Sequence, residues 1–221
     1  MLPQHIFIDL DGTLFRSEDD IRDAWRLTLN ELDLACPHFE RTFRVGPSLQ
    51  VMAEMLFPGM GLGSKIFPVF KRHYDASLLQ KTLPYPGVDG WLRGLAASGR
   101  RLYTLTNKRL RPTTMLVRRH GWQELFVEVL GSDSFDLPMP SKSAMLKLAL
   151  KKFGIEPASA AMVGDTPEDV MAGKGVGAYT VACGWGYAAL GELRKARPDV
   201  IISLSDIADN TKSLFQGGNS I

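Results

Sequence analysis

Little in this chain marks it as secreted, membrane-bound or nucleic-acid-binding. Among 221 residues there are two cysteines. Cys36 and Cys183 lie far apart, in neither metal-ligand nor redox spacing, so they read as buried thiols of a reducing compartment. Charge of one sign is also scarce: 26 Lys+Arg against 24 Asp+Glu leave a formal charge of +2, too small to argue for nucleic acid or a membrane surface as partner. No hydrophobic run reaches the length of a membrane span. The apolar run Ile6–Leu10 is short and flanked by aspartates, unlike a secretory leader, so the cytoplasm is the expected compartment. There is no internal repeat, and no low-complexity tract beyond the polar tail after Asn210. The remainder is ordinary for a globular protein, 45% hydrophobic and 23% charged, with room for one α/β domain carrying an insertion or for two small domains.

The informative stretch is His5–Phe15, His-Ile-Phe-Ile-Asp-Leu-Asp-Gly-Thr-Leu-Phe. Ile6, Phe7 and Ile8 read as a short buried parallel strand. Side chains alternate along a strand, so Asp9 and Asp11 leave its C-terminal end on the same side, and Gly12 permits a sharp turn just after them. Two carboxylates aimed at one point are costly unless a cation or a reaction uses them. A plain Asp-Gly turn would account for Asp11 and leave Asp9 unexplained.

Beyond Phe15 the pattern turns helical. Ser17 is placed as an N-cap with Asp20 three residues on, and Ile21, Trp25, Thr28, Leu29 and Leu32 form an apolar stripe up to Pro37. Pro47 opens a second helix through Leu56, and a third runs from Ser64 to Leu79 with Ile66, Phe70, Tyr74 and Leu78 inward. Leu83-Pro84-Tyr85-Pro86-Gly87 breaks the pattern as a linker. The next strand is Leu102–Thr106, many times further from Leu10 than the dozen or so residues that an ordinary βαβ crossover needs. The spacing therefore predicts an inserted helical module over 16–82 and an α/β core over 1–15 and 83–221. Strands at Phe126–Gly131, Ala160–Gly164, Tyr179–Ala182 and Val200–Ser203 alternate with helices at Pro112–His120, Ser141–Phe153 and Pro167–Gly173. That is the pattern of a doubly wound parallel sheet.

Ligands of such sheets bind outside the carboxyl ends of the strands. Asp9 and Asp11, Thr106, and Asp165 all stand at such ends. Each also suits a turn, and it is their joint placement that points to a binding crevice. Pro167 opens the helix after Asp165, which places Asp165 as a cap, a metal ligand, or both. The glycines of Ala172–Gly177 follow a helix instead of ending a strand, which argues against a nicotinamide site. The basic Arg100–His120 segment reads as a solvated helix face.

Asp9-Leu10-Asp11-Gly12-Thr13 resembles the Asp-x-Asp-Gly-Thr signature of the haloacid dehalogenase superfamily. The chain is similar to its phosphatases, and most of all to those of phosphoglycolate phosphatase type. Thr106-Asn107-Lys108 resembles the second family motif, and Gly164-Asp165-Thr166-Pro167-Glu168-Asp169 the fourth. Lys142, opening a helix after Pro138-Met139-Pro140-Ser141, takes the place of the third, in a departure from the commoner Lys-Pro form. Lys147 reads as a solvated helix residue. The resemblance implies a Rossmann-like core with a small helical cap. It further implies Asp9 as nucleophile, Asp11 as acid and base, Lys142 as electrostatic partner, and Thr106 and Asn107 as substrate contacts. Mg²⁺ would be held by the set Asp9, Asp11, Asp165 and Asp169, with Asp169 standing behind the direct ligands. The expected partner is a small phosphorylated metabolite, phosphoglycolate first. A sugar-phosphate mutase and a non-catalytic phosphate-binding protein remain alternatives, and oligomeric state stays open. Arg44 is a candidate for an anionic substrate tail, and equally a solvated surface residue.

Overall fold

The computed structural model describes residues 3–135 and 141–208. The tripeptide Pro138–Pro140 and the tail after Asn210 fall outside them. The chain divides into two compact units, Met1–Phe15 with Pro84–Ile221 and Arg16–Leu83.

The larger unit is built on a parallel sheet. Its strands are β1 (His5–Ile8), β4 (Arg101–Thr104), β5 (Phe126–Glu128), β6 (Ala160–Gly164), β7 (Tyr179–Cys183) and β8 (Val200–Ile202). Two-residue strands, β2 (Phe15–Arg16) and β3 (Leu83–Pro84), lie where the chain passes between units. The six-stranded order is β5-β4-β1-β6-β7-β8, and the ladders are parallel. This is the Rossmann-like α/β core expected from the alternation of strand and helix. Strand β1 is central, and Ile8 is in register with Thr104 on one side and Val163 on the other. The strand order reverses here, so a crevice forms at the carboxyl ends of β1, β4 and β6.

Alternation along β1 sends Phe7 to one face and Ile6 and Ile8 to the other, all fully buried. Helix α5 (Val88–Ala97) precedes β4, and α6 (Leu110–Arg119) follows it. Then come α7 (Lys142–Phe153), α8 (Pro167–Val176), α9 (Leu190–Ala196) and α10 (Leu204–Ala208). Phe7, Tyr103 and Met162 pack against Met145, Leu146, Ala149 and Leu150 of α7. The rings of Phe7 and Tyr103 stack at 4.7 Å. Each such side chain contributes roughly 1.5–3 kcal/mol of burial, enough to make the sheet a stiff platform for the loops at its edge.

Strand β4 ends at Thr104, two residues short of the expected Thr106, and two further differences from the sequence reading have a visible cause. Strand β5 ends at Glu128 instead of Gly131, because a side chain takes over the pairing: the Thr104 hydroxyl donates to Leu130 O at 2.9 Å and accepts from Leu130 N at 2.7 Å. Helix α8 runs on through Gly173 to Val176, and Gly177, at φ +80°, ends it. Gly173 is needed inside the helix because a Cβ there would strike Thr180 and Met162 of the sheet.

The smaller unit contains α1 (Glu18–Glu31), α2 (Phe39–Thr42), α3 (Leu49–Leu56) and α4 (Gly63–Ala76). Trp25 of α1 meets Phe70 of α4 at 5.1 Å, with Met52, Leu56 and Ile66 buried. Its boundaries correct the sequence reading three times. Helix α1 ends at Glu31, well before Pro37, as Asp33 takes a left-handed φ of 50°, which a short polar side chain tolerates. Helix α3 is opened by Ser48, whose hydroxyl accepts from Val51 N, and Pro47 lies outside it. Helix α4 stops at Ala76, and left-handed Leu78 and Leu79 turn the chain so that Leu79 is buried in place of the expected Leu78. Ser17 holds the N-cap position without a side-chain cap bond.

Asp20 serves a different purpose from the expected capping box. It is buried, and its Oδ2 accepts from Lys81 N at 3.0 Å and Thr82 Oγ1 at 2.7 Å, joining the first helix to the last turn of the same unit. Asp20→Ala removes the acceptor and leaves two donors to find water. It is expected to cost about 1–3 kcal/mol, measured by urea unfolding. An unchanged midpoint would show that this bond does not hold the unit closed.

Candidate active site

The turn after β1 is tight because Leu10 O accepts from Thr13 N, Leu14 N and Phe15 N, at 3.2, 2.8 and 2.9 Å. Gly12 enters the left-handed region at φ +86°, as the sharp turn requires. The chain returns to this point at Tyr85, whose N–H donates to Leu14 O at 3.0 Å. Asp9 and Asp11 are thereby held at the end of the central strand, both buried.

Lys142 is the first residue of α7. Ser141 caps that helix, accepting from Ala144 N at 3.2 Å, and the Lys142 side chain runs inward to near-complete burial. Its Nζ lies 2.7 Å from Asp169 Oδ1 and 3.0 Å from Asp9 Oδ1. Burial pulls the ammonium towards deprotonation, but the charges of Asp169 and Asp9 outweigh it and hold its pKa above the ordinary value.

The cap of α8 is Thr166, not Asp165. Asp169 Oδ2 accepts from Thr166 N at 3.0 Å and Thr166 Oγ1 at 2.6 Å, a reciprocal capping box with Pro167 behind it. Asp169 thus has one oxygen on the cap and the other on Lys142. Asp165 is left to the crevice. Its Oδ1 accepts from Thr13 Oγ1 at 3.2 Å and its Oδ2 from Tyr187 N at 2.7 Å.

Carboxylate oxygens of Asp9, Asp165 and Asp169 all lie within 4.8 Å of one another. Asp11 lies outside this trio, its Oδ2 2.9 Å from Lys108 Nζ. Four buried carboxylates, Asp9, Asp11, Asp165 and Asp169, thus face two buried ammonium groups, Lys108 and Lys142. Buried negative charge in excess of the buried positive charge is costly, so protons or a cation must meet it. Without a cation, burial pushes the Asp9 carboxyl up to about 7 from an ordinary 3.8, against the pull of Lys142, with Asp169 and Asp11 adding to the rise. Burial likewise raises Asp165, helped by the charges of Asp169 and Asp9. Asp9 Oδ1 has no hydrogen bond of good geometry despite its 3.0 Å ion pair. An all-oxygen set with an unsatisfied buried oxygen suits a hard divalent cation.

Thr106 is buried two residues beyond β4, and its hydroxyl accepts from Lys108 N at 3.3 Å while bonding in favour of the Asp9 carboxylate. Asn107 donates to Glu168 Oε2 at 3.1 Å. Asp9, Asp11, Thr106, Asn107, Lys142, Asp165 and Asp169 therefore all belong to one edge of the larger unit. Lys147 is exposed on α7. Arg44, in the helical unit, is exposed and donates to Arg41 O and Phe43 O at 2.9 and 2.7 Å.

Sequence reasoning weighed Lys108 only as a rival to Lys142 and did not foresee its pairing with Asp11, and it gave no role to Thr13, Glu168 or the Gly186–Tyr187 backbone. Lys108 had a signal, since it directly follows Thr106-Asn107. Gly186 had one in the Gly-Trp-Gly-Tyr run, where a Cβ would strike Asp165. The Tyr187 N–H donor had none, because any residue but proline supplies it.

A family model described as haloacid dehalogenase-like hydrolase matches residues 3–177. The chain belongs to that family. It is an enzyme of the phosphatase type within it. It is 31% identical over 207 residues to a phosphoglycolate phosphatase of Psychrobacter arcticus, covering 88% of this chain and 89% of that one. It is 34% identical over 199 residues to a phosphoglycolate phosphatase of Rhodospirillum rubrum, covering 85% and 82%. Among solved structures, a haloacid dehalogenase-like family hydrolase from Streptococcus pneumoniae superposes with a TM-score of 0.80 at 25% identity, covering 91% of this chain and 94% of that one.

Two outcomes follow from the buried charge. A carboxyl whose folded pKa is raised holds its proton in the folded state after the unfolded state has lost it. Stability of the cation-free protein should therefore fall from about pH 4 through about 7 as Asp9 ionises. A divalent cation should restore it, raising Tm more at pH 8 than at pH 5 in paired melts, and equal rises would refute the linkage. Gly186→Ala, which pushes on Asp165, should raise the cation concentration for half-maximal stabilisation by about 10–100-fold. An unchanged titration would remove Asp165 from the site.

Proposed function

We propose that the chain is a Mg²⁺-dependent phosphatase of small phosphomonoesters, working through an aspartyl-phosphate on Asp9, with phosphoglycolate as the first candidate substrate. The observation that carries this reading is Asp9 itself: a buried carboxylate at the end of the central strand, flanked by Lys142 at 3.0 Å and keeping an oxygen without a well-formed hydrogen bond. The names of the two bacterial relatives support the choice of phosphoglycolate, and the absence of any large charge excess agrees with a metabolite in place of a nucleic acid or membrane. Among the described residues no helix is long and apolar enough to cross a membrane, which is compatible with the cytoplasmic placement we favour.

In this mechanism an Asp9 oxygen forms a bond to phosphorus as the bond to the leaving oxygen breaks. The departing alkoxide takes a proton from Asp11. Water then attacks the phosphoaspartate, Asp11 recovers the proton, and Asp9 is released with inorganic phosphate. Lys142 and Thr106 would steady the phosphoryl oxygens while charge is redistributed. Asp9 and Asp165 would hold Mg²⁺, with Asp169 fixing Lys142 behind them and Asp11 nearest the leaving group. When bound, the cation would supply charge neutralisation for the phosphoryl group. The helical unit Arg16–Leu83 would act as a lid that selects the leaving group. In support, both chain crossings flank the catalytic turn of the larger unit, where Tyr85 N meets Leu14 O.

A panel of phosphorylated metabolites with Mg²⁺ tests substrate and reaction together. Hydrolysis of phosphoglycolate ahead of nucleoside monophosphates and pyrophosphate is expected, while return of phosphate to a hexose phosphate would mark a mutase. Asp9→Asn should abolish turnover with the fold intact, and quenching during turnover should trap phosphate on Asp9. Trapping on a serine or histidine would overturn the mechanism. Lys142→Ala should cost about 3 kcal/mol of transition-state stabilisation, far more than Lys147→Ala.

A further inference from the structure

Lys108 has no part in the scheme above, yet it is the second buried lysine of the site. Its side chain is 2% exposed, and Nζ sits 2.9 Å from Asp11 Oδ2. A lysine is rarely buried to this degree unless its charge is used. Its backbone is fixed on both sides: Lys108 N donates to Thr106 Oγ1 at 3.3 Å, and Lys108 O accepts from Ser132 N at 2.9 Å. The neighbouring loop closes over it at Gly131, where a Cβ would strike the backbone of Arg109 and Leu110. Asp133 Oδ1 accepts from Leu110 N at 2.6 Å and ties down the same turn. The lysine is thus delivered to Asp11 from a loop held in three places. Asp11, by contrast, comes from the turn after β1, with its Oδ1 buried and without a hydrogen-bond partner among the described residues.

We propose that Lys108 is a positioning residue for Asp11, holding Oδ2 so that Oδ1 is the oxygen that exchanges the proton with the leaving group. This rests on the reading of Asp11 as acid and base given above. The two lysines then divide the site. Lys142 belongs to Asp9 and Asp169, where the phosphoryl group is transferred, and Lys108 to Asp11, where the proton is. As the P–O bond to the leaving group breaks, its electron pair goes to the leaving oxygen, which takes the Asp11 proton. Lys108 stays protonated throughout. Without the ion pair the Asp11 carboxyl is free to rotate, and the proton no longer lies in line with the departing oxygen.

Leaving-group dependence reads this out. An alkyl phosphate such as phosphoglycolate needs a proton at the leaving oxygen, whereas p-nitrophenyl phosphate, with a stable phenolate, needs far less. General-acid catalysis is typically worth about 10²–10⁴-fold. Asp11→Asn and Lys108→Met should therefore both lose about 10²-fold or more in kcat on the alkyl ester and less than about 10-fold on the aryl ester. KM and the Mg²⁺ titration should stay near wild type. The double variant should be little worse than Asp11→Asn alone, since the lysine acts only through the aspartate. Lys108→Gln, which keeps a donor of shorter reach, carries the same comparison if the methionine variant does not fold. Equal losses on both esters for the Lys108 variants, beside a selective loss for Asp11→Asn, would overturn the positioning role and leave the phosphatase reading standing. A non-selective loss for Asp11→Asn would instead overturn the assignment of Asp11, and this inference with it.

Discussion

The arrangement depends on negative charge kept out of water. Asp9, Asp11, Asp165 and Asp169 are buried within one crevice, and among the described residues Lys108 and Lys142 are the cations buried with them. Isolated ions of this kind are too costly to persist in a protein interior. Each carboxylate must therefore be met by an ammonium, a donor, a proton or a cation, and the local architecture can be read as the set of those answers. Asp169 is met by Lys142 and by the Thr166 cap. Asp165 is met by Thr13 and Tyr187, and Asp11 by Lys108. Asp9 is met by Lys142 and Thr106 but keeps Oδ1 without a well-formed hydrogen bond, and burial raises its carboxyl to about 7. The carboxylate with that open oxygen at the end of the central strand is the one proposed to attack phosphorus. A fully hydrogen-bonded oxygen would be a weaker nucleophile, and would leave no coordination position for a cation.

Holding like charges together requires a frame that does not yield. The turn carrying Asp9 and Asp11 extends the central strand, whose neighbours on both sides keep it in register to the last residue. Register continues one step past the strand, with Asp9 N donating to Val163 O and Leu105 N to Ile8 O, both at 2.9 Å. Repulsion between Asp9 and Asp165 therefore cannot be relieved by sliding β1 against β6 without breaking that ladder and exposing the Phe7, Tyr103 and Met162 face. Hydrophobic burial beneath the strands fixes the carboxylates above them.

Much of this was legible in the sequence. Short β-branched runs ending in polar residues gave the strands and located the crevice, because strand ends and ligand sites coincide in parallel sheets. Asp9, Asp11, Thr106 and Asp165 could be grouped in advance since each stands at or just beyond a recognisable strand end, whereas Lys142 and Asp169 entered only through the resemblance to the family motifs. What escaped was long-range pairing. Nothing local says that Asp20 bonds to Thr82, 62 residues away, in place of Ser17. Nor does anything local say that Lys108 reaches Asp11 and not solvent. Helix ends were misplaced where left-handed residues other than glycine stop the helix, as at Asp33 and Leu78, since only glycine and proline advertise a break.

The glycines explain why this site tolerates so little change around its charges. A Cβ at Gly12 or Gly186 would strike Asp165, and one at Gly164 would strike Asp169. Each glycine forgoes roughly 0.5–1 kcal/mol of chain entropy relative to alanine, and at three positions beside one crevice that loss serves a single purpose. It lets the backbone come within van der Waals contact of the carboxylates, so that main-chain N–H groups such as Tyr187 N reach them directly. Side-chain donors there would bring rotamers to be ordered and bulk to be accommodated. Backbone donors come already ordered by the sheet. The crevice is thus shaped as much by the side chains withheld at Gly12, Gly164 and Gly186 as by the aspartates and lysines that fill it.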